Sequence, residues 1–155
     1  GTMTETGPAA GINATMRTFG HPDTLVAEYP HWVVLLRPQQ ATLGALVLAA
    51  RGEARRFGDL PAAAHAELAR ITGDIESTLG RCFGYEKINY LMLMMVDPHV
   101  HFHVVPRYPA PASFAGTTFE DPGWPKVPNL AHATAISDAT RTKLLRTLRD
   151  AWSAG

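Results

Sequence analysis

A run of histidines that alternate with apolar residues constrains the fold of this chain more than any other feature. His99, His101 and His103 are each separated by one apolar residue in the stretch VDPHVHFHVVPRY, residues 96–108. A period of two is typical of a β-strand, in which successive side chains point to opposite faces of a sheet. We therefore predict a strand over residues 99–105, with the histidines about 6.6 Å apart on one face and the apolar residues between them in the core.

Length and composition narrow the class of protein. A chain of 155 residues is expected to form one domain with a substantial core. It has 14 basic and 14 acidic residues, so its overall charge does not favour nucleic acid or an anionic membrane as a partner. The single cysteine, Cys82, and the lack of a long apolar run are typical of a cytoplasmic protein without membrane spans. Residues 1–20 are rich in Gly, Ala and Thr, which predicts a disordered N-terminus before a domain over residues 21–152.

Strand signals occur in three further places. β-branched and aromatic residues predict strands over residues 32–36 and 42–49, joined as a hairpin. Residues 89–96 are mostly Leu and Met, and we interpret this short run as a buried strand, although periodicity alone does not distinguish it from a helix. Residues 109–128 are rich in proline, glycine and aromatics, which predicts an irregular segment over a site or an interface.

Two helices are predicted from capping residues and apolar stripes. Asp59 followed by Leu60-Pro61 indicates a helix start, and the apolar stripe of that helix consists of Leu68, Ile71, Ile75 and Leu79. Ser137 and Asp138 indicate the start of a last helix over about residues 137–152. Its stripe consists of Leu144, Leu145, Leu148 and Trp152. Together these elements predict an α+β fold, an antiparallel sheet with helices packed on it.

Three interpretations of the histidine row remain open at this point. It could be a polar surface stripe. It could bind a metal, because two histidines at i and i+2 can chelate zinc, but the outer pair lies about 13 Å apart while a Zn–N bond is about 2.1 Å. It could do covalent chemistry, because neutral imidazole is a nucleophile once its other nitrogen donates to an acceptor.

The row also resembles a known family. His99 to Val105, with the sequence H-V-H-F-H-V-V, is similar to the signature of the histidine triad (HIT) family, in which three histidines alternate with apolar residues and two apolar residues follow. Pro106-Arg107 is also similar to the family, and a general likeness of order and pattern extends over roughly residues 25–108. This resemblance implies the HIT-like α+β fold and a homodimer.

The resemblance also implies an activity. HIT proteins hydrolyse or transfer nucleoside monophosphates at the α-phosphorus, without a required metal or other cofactor. By this resemblance His101, the middle histidine, is the nucleophile and forms a nucleotidyl-histidine intermediate. His99 and His103 would orient it and bind the phosphate and the leaving group. The expected substrate is a nucleoside phosphoramidate or a dinucleoside polyphosphate, with adenosine as the favoured base.

The chain departs from the family pattern around this row. Many members carry a phosphate-binding loop with glycine and serine or glutamine before the triad, whereas residues 94–98 here contain none of these. Ala45 follows Gly44, where members often have a further histidine. Counted back from Gly44, the residue that holds a ribose in many members falls at Arg37. An arginine cannot accept hydrogen bonds from ribose hydroxyls, but it can pair with a phosphate or a carboxylate.

Two residues outside the triad are candidates for substrate binding. Asn89 opens the strand before the triad, where some members use an asparagine near the phosphate, although a strand-end cap is the simpler interpretation. Arg107 follows the triad strand and could reach a phosphate, or it could be a solvated surface arginine. The sequence thus predicts a HIT-type hydrolase or nucleotidyltransferase. The alternative is a nucleotide-binding or metal-binding module of the same fold without catalysis.

Overall fold

A five-stranded antiparallel sheet forms the centre of the protein. The computed structural model describes residues 11–154. Its sheet consists of β1 (Leu25–Glu28), β2 (Trp32–Leu36), β3 (Leu46–Ala50), β4 (Lys87–Leu91) and β5 (His101–Arg107), in the spatial order β1-β2-β3-β5-β4. A separate short hairpin follows, formed by β6 (Ala112–Phe114) and β7 (Thr117–Phe119). The predicted antiparallel sheet of an α+β domain is confirmed.

Helices cover both faces of this sheet. The long helices α2 (Ala62–Phe83) and α3 (Asp138–Ala154) contribute to the main core on one face, and a short helix α1 (Ala14–Thr18) packs on the other. The predicted stripes of α2 and α3 enter the main core, where Leu68 and Trp152 are partly buried and the other stripe residues are buried. Among residues 11–154, no helix is both long and apolar enough to cross a membrane.

The helix ends differ in part from the predictions. The N-cap position of α2 is Pro61, and Asp59 instead pairs with Arg56 in a short 3-10 turn. The helix ends before Gly84, whose φ of +62° is the left-handed conformation that glycine adopts readily. The cap of α3 is confirmed, because the Ser137 hydroxyl accepts the backbone N–H of Thr140 at 3.1 Å.

The strand boundaries near the triad also need correction. We predicted a strand over residues 99–105, but β5 begins at His101. His99 therefore lies just before the observed strand. The strand predicted over residues 89–96 spans Lys87–Leu91, so Asn89 lies in its middle and does not open it, and the strand ends five residues earlier than predicted. The reason is topological: Leu91 pairs with His103, and the chain must then reverse direction before it enters β5.

The expectation of a disordered N-terminus is wrong for residues 11–20. Asn13 caps α1 by accepting the N–H of Met16 at 3.0 Å, and its amide donates to the carbonyl oxygens of Ala50 and Gly52 at 3.0 and 2.8 Å. Met16 is fully buried against the sheet. Residues 1–10, on which the rest of this expectation falls, lie outside the described residues.

Candidate active site

The histidine row lies between the sheet and α1. His101 pairs with Ala49 of β3 and His103 with Val47, so both imidazoles lie on the face that α1 covers. The residues that alternate with them pack toward the main core, as predicted. The exposed fractions of His99, His101 and His103 are 5%, 2% and 8%. The interpretation of the row as a polar surface stripe is therefore wrong.

The geometry around His101 determines which of its nitrogens is free. Nδ1 lies 2.7 Å from the backbone carbonyl oxygen of His99. A carbonyl oxygen can only accept, so Nδ1 carries the proton and donates it. In the neutral ring Nε2 then holds a lone pair, and His101 lines a cavity. This is the tautomer that a nucleophilic histidine requires.

His103 has the opposite tautomer. The Nε–H of Arg37 donates to Nδ1 of His103 at 3.4 Å, so Nδ1 is the acceptor and the neutral ring carries its proton on Nε2. Burial lowers the pKa of His103 to about 4, and the positive charges of Arg37 and of His101 when protonated act in the same direction. His103 is therefore a neutral hydrogen-bond donor at physiological pH.

His99 contacts α1 and the residues that follow β3. Its Nε2 lies 3.0 Å from a carboxylate oxygen of Glu53, which can only accept, and its Nδ1 lies 2.9 Å from the hydroxyl of Thr15. The same hydroxyl oxygen accepts the backbone N–H of His99 at 3.2 Å. Thr15 is buried whereas Glu53 is exposed. These contacts hold the residue whose carbonyl sets the tautomer of His101.

A cavity of about 280 Å³ opens beside His101 and His103. One wall is apolar and comes from Phe19 and the connection that precedes the triad, and the polar lining groups besides the two histidines are Arg37 and Asp97. The Phe19 ring centroid lies 5.5 Å from that of His101 and 5.8 Å from that of His103. His99 does not line the cavity, which suits a supporting position rather than direct contact with a ligand.

The loop between β2 and β3 positions Arg37. The Gln40 side chain is buried and braces this loop: its amide donates to the carbonyl oxygens of Arg37 and Ala45, and its oxygen accepts the N–H of Gly44. Gly44 has a φ of +86°, and an added Cβ would lie 2.8 Å from the Phe83 ring. Only glycine fits this turn without strain.

Asn89 and Arg107 lie together but do not line the triad cavity. Arg107 forms a buried ion pair with Asp121 at 2.7 Å, and it also donates to the Asn89 side chain and to the carbonyl oxygen of Lys126. These contacts fix the segment after β7 onto β4 and β5. Because the arginine is buried and so engaged, we leave both residues out of the catalytic site proposed below.

Sequence reasoning missed the residues that α1 and the segment after β3 contribute. Thr15 and Phe19 belong to the segment expected to be disordered, and Glu53 follows β3 without a distinctive pattern. Asn13 was the one available signal, because asparagine is among the favoured N-cap residues. Within the described part of the chain, no group of three His, Cys, Asp or Glu side chains is arranged to hold a metal ion.

The fold and the buried triad define a histidine triad protein. The model of the HIT domain matches residues 19–110, more than half of the chain, and the chain therefore belongs to the HIT family. Among curated proteins, none matches the sequence as a relative.

Solved structures of histidine triad proteins share this fold. A histidine triad (HIT) protein from Sinorhizobium meliloti superposes with a TM-score of 0.72 at 18% identity, over 93% of this chain and 98% of its own. A histidine triad protein from Bradyrhizobium japonicum gives 0.68 at 18% identity, over 90% and 95% of the two chains. A hypothetical histidine triad nucleotide-binding protein from Sulfolobus tokodaii gives 0.64 at 14% identity, over 84% of each chain.

Proposed function

We propose that this protein is a nucleotide hydrolase or nucleotidyltransferase that reacts at the α-phosphorus of a nucleoside phosphoramidate or a dinucleoside polyphosphate. His101 is the nucleophile, and His99 and His103 support it. One observation carries this proposal: the bond from His101 Nδ1 to the His99 carbonyl leaves the lone pair of the neutral ring on Nε2, and His101 lines a cavity. Membership of the HIT family and the nucleotide-binding relative support the substrate class.

The reaction proceeds in two displacements. His101 Nε2 attacks phosphorus, the bond from phosphorus to the leaving group breaks, its electron pair departs with the leaving group, and a nucleotidyl-histidine remains. A leaving phosphate departs as an anion, and a leaving amine takes up a proton from solvent. The Nε2–H of His103 donates a hydrogen bond to a phosphoryl or leaving-group oxygen. Water or another acceptor then attacks phosphorus, its proton passes to solvent, and the P–N bond breaks to restore His101. Such a mechanism predicts ping-pong kinetics and needs no metal.

The decisive experiment compares wild type with His101→Ala, with EDTA present. Adenosine phosphoramidates and dinucleoside tri- and tetraphosphates are the substrates, and release of nucleoside monophosphate is measured. We expect His101→Ala to lose at least about 10³-fold in turnover, because removing a nucleophile removes the covalent route. His65→Ala is the matched control, since His65 lies on α2 on the other side of the sheet. Substantial turnover by the His101 variant would exclude this mechanism.

A second candidate is a nucleotide-binding module without catalysis. It is favoured by the connection before the triad, where residues 94–98 supply no hydroxyl and no glycine, and where Met95 and Val96 are exposed. Tight nucleotide binding by wild type, without product and without a trapped nucleotidyl-histidine after acid quenching, would establish this alternative.

The partners expected from the sequence form part of the same proposal. We propose a small-molecule nucleotide as the ligand and a second copy of the chain as the protein partner, with no nucleic acid. The half-buried Cys82 and the expected cytoplasmic location are compatible with each other. The cytoplasmic location stays a prediction.

A further inference from the structure

Arg37 is a buried cation at the wall of the triad cavity. Its exposed fraction is 9%, and its guanidinium donates to His103 and to the carbonyl oxygens of Gln39 at 2.6 Å and Leu130 at 3.5 Å. The ion pairs formed within residues 11–154 do not include Arg37, although Asp97 lines the same cavity. Burial alone lowers the pKa of Arg37, with no carboxylate acting against it.

A buried arginine without an ion-pair partner lowers the stability of the protein when no ligand is bound. A charged side chain is rarely buried without an opposite charge, because transfer from water into the protein removes its hydration. Carbonyl oxygens and the imidazole solvate the guanidinium, but they leave its positive charge uncompensated. Arg107 is a useful comparison within this chain: its exposed fraction is 4%, and it forms a bidentate pair with Asp121. The cavity beside Arg37 is where an anion can supply the missing charge.

His103 indicates which part of a substrate that anion belongs to. Its Nε2–H is available to donate a hydrogen bond, but a ring with a lowered pKa is neutral at physiological pH and does not readily transfer a proton. A leaving amine must gain a proton as the P–N bond breaks. A leaving phosphate departs as an anion and needs none, and Arg37 lies directly against His103.

We propose that the substrate is a phosphoric anhydride whose leaving group is anionic, and that Arg37 binds this leaving group beside His103. This inference rests on the function proposed for His101. As His101 Nε2 bonds to the α-phosphorus, the anhydride P–O bond breaks and its electron pair leaves with the bridging oxygen. The guanidinium stabilises the negative charge that develops there. Arg37 is then a substrate-binding residue that favours dinucleoside polyphosphates over phosphoramidates.

The test compares how strongly each variant prefers the anhydride substrate over the phosphoramidate. The value of kcat/KM is measured for diadenosine triphosphate and for adenosine 5′-phosphoramidate, and the ratio of the two is compared among wild type, Arg37→Gln and Arg37→Lys. We expect Arg37→Gln to lower the ratio about 30-fold, because an anionic partner loses its buried counter-charge. Arg37→Lys should lower it less, since it keeps the charge but not the planar fork. Arg70→Gln, which alters an exposed arginine on α2, is the control and should leave the ratio unchanged.

Two outcomes would overturn this role of Arg37. Equal losses on both substrates would mean that Arg37 acts only by orienting His103. A third substrate, the phosphoramidate with an added 3′-phosphate, tests whether Arg37 instead binds an anion on the sugar side of the reacting phosphorus. If Arg37→Gln impairs only this third substrate, the anion is on the sugar and not on the leaving group.

A binding measurement separates this inference from the proposed function. Calorimetry with inorganic pyrophosphate is run on wild type, His101→Ala and the Arg37 variants, after circular dichroism has confirmed that each is folded. We expect binding to wild type and to His101→Ala, and about 30-fold weaker binding to Arg37→Gln. If no substrate is turned over but this pattern appears, the catalytic proposal fails and Arg37 remains the anion site. If Arg37→Gln does not fold, Arg37→Lys is the variant compared. Pyrophosphate that binds all variants equally, or none, would contradict the inference.

Discussion

The tautomers of the triad histidines are set at the scale of single hydrogen bonds. His101 and His103 lie two residues apart on one strand, yet they have opposite tautomers because one faces a carbonyl oxygen and the other faces a guanidinium. His101 thereby keeps a lone pair on Nε2, and His103 keeps a proton there. Two identical side chains thus have the tautomers that the proposed roles of nucleophile and hydrogen-bond donor require. The difference between the two imidazoles comes from their hydrogen-bond partners, since the side chains themselves are identical.

The burial of His103 predicts a specific pH dependence of stability. Its pKa is about 4 in the folded protein and about 6.5 when unfolded. Between these values the unfolded chain binds a proton that the folded chain does not, so stability is full above pH 6.5 and falls as the pH drops toward 4. Relative to His103→Gln, which does not titrate, wild type should lose about 3 kcal/mol at most between pH 7 and pH 4, and less where solvent screens the charge. Urea denaturation at a series of pH values measures this difference.

An unchanged difference between wild type and His103→Gln across this range would show that His103 has an ordinary pKa. The sequence could place His103 on a shared face, because alternation with apolar residues is a local pattern. It could not give the pKa, since that depends first on burial and then on Arg37, which is 66 residues away in the chain and reaches His103 only through the sheet. Long-range partners of this kind leave no periodic signal.

At the scale of secondary-structure elements, α1 is the part of the candidate site that could not be predicted from the sequence. It has five residues, too few for an apolar repeat, and its stability comes from Asn13, which joins it to the end of β3. The hairpin of β2 and β3 and the helices α2 and α3 were predictable, because their patterns are local and long. The turn before β3 shortens that strand to Leu46–Ala50, since Gly44 and Gln40 hold the preceding residues in a loop.

Removing the cap of α1 should impair both stability and activity. Asn13→Ala removes the cap and leaves two carbonyl oxygens without their side-chain donor, so we expect a loss of about 2 kcal/mol in the free energy of unfolding. Because Thr15 would no longer be held against His99, kcat/KM should fall roughly tenfold. Thermal denaturation and steady-state kinetics, at a temperature where the variant is folded, measure the two effects.

The matched control for this change is Ser137→Ala, which removes the N-cap of α3. It should cost about 1 kcal/mol of stability with no effect on kcat/KM, because α3 packs on the face of the sheet opposite the triad. If both variants lost activity in proportion to their stability, α1 would have only a structural role.

At the scale of the whole molecule, the two edge strands of the sheet, β1 and β4, have different neighbours. At the edge formed by β1, the Arg149 guanidinium of α3 donates to the carbonyl oxygens of Leu25 and Asp23. Within residues 11–154, no strand pairs with the outer side of β4. A groove of about 740 Å³ runs beside β4 and is bounded by residues 124–128. A free edge strand presents unpaired backbone groups that readily pair with another strand.

This asymmetry predicts where the proposed homodimer forms. Two copies joined by antiparallel pairing of their β4 strands would satisfy the free backbone groups and make one continuous sheet. Sedimentation velocity should then give twice the 16.8 kDa mass of one chain. Hydrogen exchange should show that the outward amides of Lys87–Leu91 become protected as concentration rises, while those of β1 do not change. A dimer whose β4 amides exchange freely would have its interface elsewhere, and a monomer at all concentrations would exclude the homodimer. Because β4 borders β5, this experiment also reports whether a second copy lies within reach of the triad strand.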